Sequence, residues 1–393
     1  MLKLIWTPTF AGAPDSADYQ TASDNLYLDS TSQPVLQAFA KTAAYDGIAS
    51  AALGTALDRW LEGKRRIVVM VHGYDFDPTG TVGTIADDPF GLVYGVPGQP
   101  FGTPPAPIDP HNSWLPLVGE CDDAGTLPLA DIALAFAWVS EDDFSQYADA
   151  CWDDAYQYAA LDVVPLASKA LATILKYIGA QGITIDLLAH SLGTRLTSQS
   201  IGHLVPGQDD KTINRLVFLG GAEYCVDATA TLRGRSFDIL NLANREDKVL
   251  SIGAEMFCHP YRPNNTSVAL VIGREGLFAG GNWLDIQIDN PNAIAWLAEA
   301  PNGQHYTVSG FKDSDLHPAA FLNHWVYYMN DGNRPLVRAL VQDPTMNIAW
   351  FRANKFPEGV AAPNYGQAFG AVPPGFDTCI ARIDARSTRA GLV

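Results

Sequence analysis

The chain has 393 residues, of which 47% are hydrophobic and 17% charged, enough apolar material for one large α/β domain with insertions or a small appendage. Its 43 acidic and 25 basic residues leave a net charge of −18, which disfavours nucleic acid and anionic membrane surfaces as partners and predicts a soluble protein. Five cysteines, an odd and unclustered set, argue against a disulfide scaffold and read most simply as reduced thiols of a cytoplasmic protein, with a Cys225–Cys258 pair as the alternative.

In chain order, the segment Met1–Phe10 has too short an apolar core for a signal peptide and reads as an edge strand. Residues Gln33–Glu62 read as a helical region broken near Asp46-Gly47. Arg65 and Arg66 open a continuous apolar run, the pattern of a strand buried on both faces, which ends in His72-Gly73-Tyr74. The stretch Asp75–Leu129 is crowded with Pro, Gly and Asp and is too long for an ordinary connection; such loops in compact enzymes are usually functional. A second departure from a minimal core spans Cys258–Asn282, with sequons at Asn264 and Asn265 that carry little meaning without secretion. Ala130–Val139 reads as a strand and Ala150–Ile178 as a long helix, followed by strands at Arg215–Leu219 and Ser236–Asn244. Strands alternating with helices predict a mostly parallel sheet covered on both faces. No membrane-spanning segment is expected.

The chemistry concentrates at Ile183–Gly193, where an apolar strand runs into Ser191 and then into a helix. A sharp turn there needs small neighbours, Ala189 and Gly193, so that backbone can pass backbone. It also puts the hydroxyl at a helix N-terminus, where developing negative charge is favoured. The bland alternative for Ser191 is a helix N-cap.

This block resembles the nucleophile elbow of the α/β-hydrolase superfamily, with Ala189 in place of the usual first glycine. The resemblance covers Arg65 to about Gly332 and is strongest at the elbow and the His72-Gly73 loop. It implies an α/β-hydrolase fold: a mostly parallel central sheet, helices on both faces, and a long insertion after the oxyanion-hole strand. Residues 1–352 would form the domain, with insertions at 75–129 and 258–282. Residues 353–393 would form an extension that wraps the surface or contacts another copy in a homo-oligomer.

The same resemblance implies Ser191 as nucleophile, with oxyanion-hole N–H groups from Tyr74 and Leu192. His72 would organise its loop rather than transfer protons. The superfamily's order of nucleophile, acid and histidine places the acid after a later strand, at Asp247, with Glu223 or Asp227 as substitutes; the bland alternative for Asp247 is a solvated loop carboxylate paired with Arg245 or Lys248. Of His259, His305, His317 and His324, the last fits best as base, because a loop there leads into an aromatic helix; His317 is the runner-up. The insertion begins at the oxyanion loop, so His72, Phe76, Phe90, Tyr94 and Trp114 are expected to wall the substrate pocket, with a satellite core as their other reading. No metal or other cofactor is implied, since no zinc-binding or calcium-binding spacing and no phosphate-binding loop is present. The expected activity is that of a serine hydrolase acting on small carboxylic esters. Amides, lactones or thioesters are alternatives that use the same machinery, and a non-catalytic binding module is another.

Overall fold

The computed structural model describes residues 1–11, 20–30, 33–40, 51–78, 89, 93–94, 113–121, 130–140, 156, 158–247, 249–250, 271–277, 280–310 and 324–358. Among the described residues, nine strands form one sheet: β1 (Leu2–Ala11), β2 (Gln20–Ser30), β3 (Gln33–Ala40), β4 (Arg66–Val71), β5 (Ala133–Trp138), β6 (Thr184–His190), β7 (Ile213–Leu219), β8 (Asp238–Ala243) and β9 (Trp283–Gln287). Their spatial order is β3-β2-β1-β5-β4-β6-β7-β8-β9. From β1 to β9 every neighbouring pair is parallel, which makes seven parallel strands; β2 runs antiparallel to β1 and to β3.

Strand periodicity explains the layers. In β4, Ile67, Val69 and Val71 point into one core and Val68 and Met70 into the other; in β6, Ile185, Leu187 and Ala189 face the first core and Leu188 the second. The first core is closed by α1 (Ala51–Leu61), α2 (Val164–Ala180), α3 (Leu192–Gly202) and α4 (Cys225–Leu232). The second is closed by α5 (Pro291–Ala298), α6 (Arg334–Gln342) and α7 (Ile348–Ala353). Helices therefore cover both faces, and the architecture is that of an α/β-hydrolase fold. After β4 the chain adds β5 on one side, then returns to add β6 on the other. That reversal opens a crevice at the carboxyl ends of β4 and β6, where open α/β sheets bind ligands.

Three expectations are corrected. β1 is not an edge strand: it lies between β2 and β5. Gln33–Ala40 is a strand, not the start of a helix; its Pro34 suits the outermost strand, where a missing N–H costs least, and pairing with β2 satisfies the backbone. Of the helix foreseen over Ala150–Ile178, residues 150–155 and 157 lie outside the described residues, and from Tyr158 on it is one π-helical turn (Tyr158–Val163) followed by α2. Pro165, in the first turn of α2, lacks the N–H an uninterrupted helix would need there. The helical run Ala159–Ala180 is long and apolar enough by length and composition to cross a bilayer, and most of it is buried inside the fold.

Candidate active site

Ser191 sits between β6 and α3 with φ 53° and ψ −128°, a conformation that L-residues rarely adopt and that surrounding contacts must enforce. Those contacts are visible. Its N–H donates to Leu219 O of β7 at 3.0 Å, and its carbonyl accepts from Thr194 N, Thr194 Oγ1 and Ala222 N at 3.0, 2.7 and 3.0 Å. The small residues are required by packing: a Cβ on Gly193 would stand 2.3 Å from His72 O and 2.6 Å from Val71 O. A Cβ on Gly73 would stand 2.8 Å from Ser191 Cβ. The side chain of Ser191 makes no capping bond to α3, so its hydroxyl is left for other use.

That hydroxyl meets His324. Ser191 Oγ lies 2.8 Å from His324 Nε2, and His324 Nδ1 lies 2.7 Å from Asp247 Oδ2. A neutral imidazole in this setting carries its proton on Nδ1, donates it to the carboxylate and presents Nε2 as acceptor to the serine. Asp247, fully buried in the loop after β8, also accepts from Leu250 N on Oδ1 at 3.0 Å and from the Tyr327 hydroxyl on Oδ2 at 3.2 Å. The three side chains come from the turn after β6, the loop after β8 and the segment before the short helix Val326–Met329, so they meet only in the folded sheet.

The other candidates fall elsewhere. Glu223 is buried beside the Arg195 guanidinium, and burial pushes its carboxyl up to about 8. Its Oε1 accepts from Tyr224 N at 2.8 Å, while Asp227 lies in the first turn of α4. His305 is exposed and its Nδ1–H donates to Ala298 O at 2.6 Å. His259 and His317 lie outside the described residues.

The loop after β4 is built around His72. Its Nε2 accepts from Trp138 N at 3.0 Å and its Nδ1–H donates to Gly73 O at 2.9 Å, while burial lowers its pKa to about 3. His72 is therefore a neutral strut that fixes the loop carrying Gly73 and Tyr74 against Ser191. Asp75, with φ 76°, turns the chain sharply just beyond. Leu192 is the first residue of α3, where an N–H has no acceptor within its own helix.

The expected pocket wall is corrected for three residues. His72, Tyr94 and Trp114 are fully buried. Tyr94 Oη accepts from His72 N at 2.9 Å and donates towards Phe136 O at 2.8 Å, bracing the ends of β4 and β5. Trp114 packs edge-on against Tyr94 and Tyr328 in the second core. These side chains bring large apolar surfaces that the sheet can cover, so they serve as core. Phe76 is half-buried on the same cluster, and Phe90 lies outside the described residues. Other half-buried aromatics stand beside the Gly73 loop and His324: Tyr74, whose ring meets Tyr156 at 5.3 Å, and Trp325, at 5.5 Å from the His324 ring.

Sequence reading missed two neighbours of His324. Tyr327 holds Asp247 and packs against Gly220, which has φ 52° and where a Cβ would stand 2.4 Å from the ring. His190, beside the nucleophile, has Nε2 3.0 Å from His324 O. The spacing of Tyr327, three residues after His324, was the available signal. Elsewhere, Cys225 carries a free thiol, and among the described residues no group of three or more His, Cys, Asp or Glu side chains is placed to hold a metal ion.

No protein-family model matches the chain, and no curated protein matches it. Among solved structures it is similar to Aspergillus fumigatus lipase B, at 14% identity and a TM-score of 0.33, over 85% of this chain. This chain spans 64% of that lipase's length. So distant a likeness says nothing of activity, and the fold rests on the strand order and the turn at Ser191.

Proposed function

We propose that the protein is a serine hydrolase that cleaves carboxylic esters through an acyl-enzyme. The observation that carries this reading is the continuous line of hydrogen bonds from Ser191 through His324 to Asp247, anchored on a strained strand-to-helix turn. A serine is a weak nucleophile until a base takes its proton. His324 Nε2 takes it as Oγ attacks the carbonyl carbon, and the imidazolium formed is stabilised by Asp247, whose carboxylate also holds the tautomer. The carbonyl oxygen becomes an oxyanion facing the main-chain N–H groups of Tyr74 and Leu192, which stand fixed before the charge develops. His324 then gives its proton to the leaving alcohol. Water, deprotonated by the same histidine, releases the acid and restores Ser191.

Neutral ester substrates suit this site because half-buried aromatics lie by it: Trp325 packs edge-on against His324, and Tyr74, next to Gly73, packs against Tyr156. The test is hydrolysis of a panel of short-chain and aryl esters by the wild type, Ser191→Ala and Asp247→Asn. The serine variant is expected to lose on the order of a millionfold in kcat, and the asparagine variant about ten-thousandfold through the wrong tautomer. A folded Ser191→Ala protein with retained turnover removes the mechanism. Turnover of amides or thioesters in preference to every ester would move the substrate class.

A further inference from the structure

Ser191 has a neighbour in sequence that touches the base. His190, the last residue of β6, is 3% exposed, and its ring centroid lies 4.7 Å from that of His324 and 5.0 Å from that of Tyr328. Its Nε2 is 3.0 Å from the main-chain oxygen of His324. A carbonyl oxygen only accepts, so the proton sits on His190 Nε2 and the ring is a donor to the base's own backbone.

We propose that His190 is a positioning residue, which ties the base to the same pair of residues that carries the nucleophile. The inference rests on the reading of Ser191 and His324 as the reacting pair. Its physical content is mechanical and electrostatic. The turn at Ser191 is held by β7 and by the Ala222 N–H, whereas His324 enters the site from a separate part of the chain. The bond from His190 closes that gap with one strut, so that Oγ and Nε2 share a frame and their separation cannot drift independently. The strut must also stay uncharged, because a cation 4.7 Å from the His324 ring would oppose formation of the imidazolium in the reaction. Burial and the neighbouring His324 and His72 rings hold His190 well below the ordinary histidine range, so it remains a neutral donor through the cycle. The groups facing it are His324, Tyr327 and Tyr328 from the base's segment and His72 from the β4 loop.

The experiment compares His190→Leu, which fills the space without a donor, with His190→Gln, which keeps an N–H; His190→Phe stands in for the leucine variant should that fail to fold. On an ester that the wild type hydrolyses, the donor-less variant is expected to lose roughly tenfold to a hundredfold in kcat with KM little changed, the scale of a misplacement near 1 Å. The glutamine variant is expected to recover most of that loss. A folded donor-less variant within about twofold of wild-type kcat, or a glutamine variant no better than leucine, overturns the proposal.

A readout independent of turnover separates this from failure of the ester reading. In histidine-ring NMR of the full chain, the Nδ1–H proton of His324, bonded to Asp247, is expected in the wild type and His190→Gln and lost or broadened without the donor. Its persistence unchanged in the donor-less variant overturns the positioning role. Absence of any esterase activity in a wild type that shows the expected NMR pattern instead overturns the proposed function and leaves the strut standing.

Discussion

Gly73→Ala places one methyl group between the loop proposed to hold the oxyanion and Ser191. The added Cβ would lie 2.8 Å from Ser191 Cβ, 3.3 Å from His190 O and 3.4 Å from Ser191 Oγ. Carbon atoms rest at about 3.5–4.0 Å, so something must move by roughly 1 Å. Ser191 cannot easily yield, because its N–H and carbonyl are bonded to Leu219, Thr194 and Ala222 and its backbone is already strained. The strain therefore falls on the Gly73-Tyr74 loop, and any retreat there carries the Tyr74 N–H away from its proposed oxyanion position. Losing one such donor costs on the order of a hundredfold to a thousandfold in kcat, about 3–4 kcal/mol in the barrier. The assay is steady-state hydrolysis of p-nitrophenyl acetate and butyrate alongside thermal unfolding, with KM as the control for ground-state binding. The expected result is a folded protein whose kcat falls by about two to three orders of magnitude and whose KM changes little. A folded variant with kcat within about threefold of wild type would refute the reasoning, because a loop free to relax without penalty is not holding an oxyanion donor.

Stability should have limbs of opposite sign. Folded Glu223 keeps its proton up to about pH 8 although its ordinary value is 4.5, so its contribution is present below 4.5 and lost as pH rises through about 8, on the order of 5 kcal/mol. His72 titrates the other way: held neutral down to about 3 against an ordinary 6.5, it stabilises above 6.5 and loses that as pH falls. The melting temperature of Glu223→Gln minus that of wild type is therefore expected to grow from pH 5 to pH 8.5, and a difference independent of pH would contradict the burial argument. Tyr327→Phe removes one of two donors to Asp247 Oδ2 at 3.2 Å while keeping the ring against Gly220. A buried hydrogen bond to a charged group is worth about 1.5–3 kcal/mol, so kcat should fall roughly tenfold or more while KM holds, and an unchanged kcat would make Tyr327 a packing residue only.

What could be read from the sequence followed from local pattern. The apolar runs at Arg66–Val71, Thr184–His190 and Ile213–Leu219 are strands because both sheet faces are covered, and that leaves no alternation to confuse with a helix. The turn at Ser191 shows because only small residues allow α3 to pass His72 O, and glycine stands there. The structure brings Ser191, His324 and Asp247 within hydrogen-bond reach, although they lie 133 and 77 residues apart along the chain. What could not be read depends on tertiary pairing. β3 needs β2 as a partner, and its few residues carry no stronger strand than helix signal without it. Tyr94 and Trp114 look alike as pocket or core in sequence, and only the partners Phe136 O and Tyr328 decide. His190 was overlooked because its role is to hold a backbone atom that lies 134 residues later.

The most direct measurement is labelling of the intact protein with a biotinylated fluorophosphonate, followed by peptide mass spectrometry. The account predicts a single adduct on the Ser191 peptide, none on Ser191→Ala, and labelling slowed on the order of a hundredfold or more in His324→Ala, because the base no longer takes the proton. A folded wild type that takes no label, or takes it on another serine, would contradict the claim that Ser191 is an activated nucleophile.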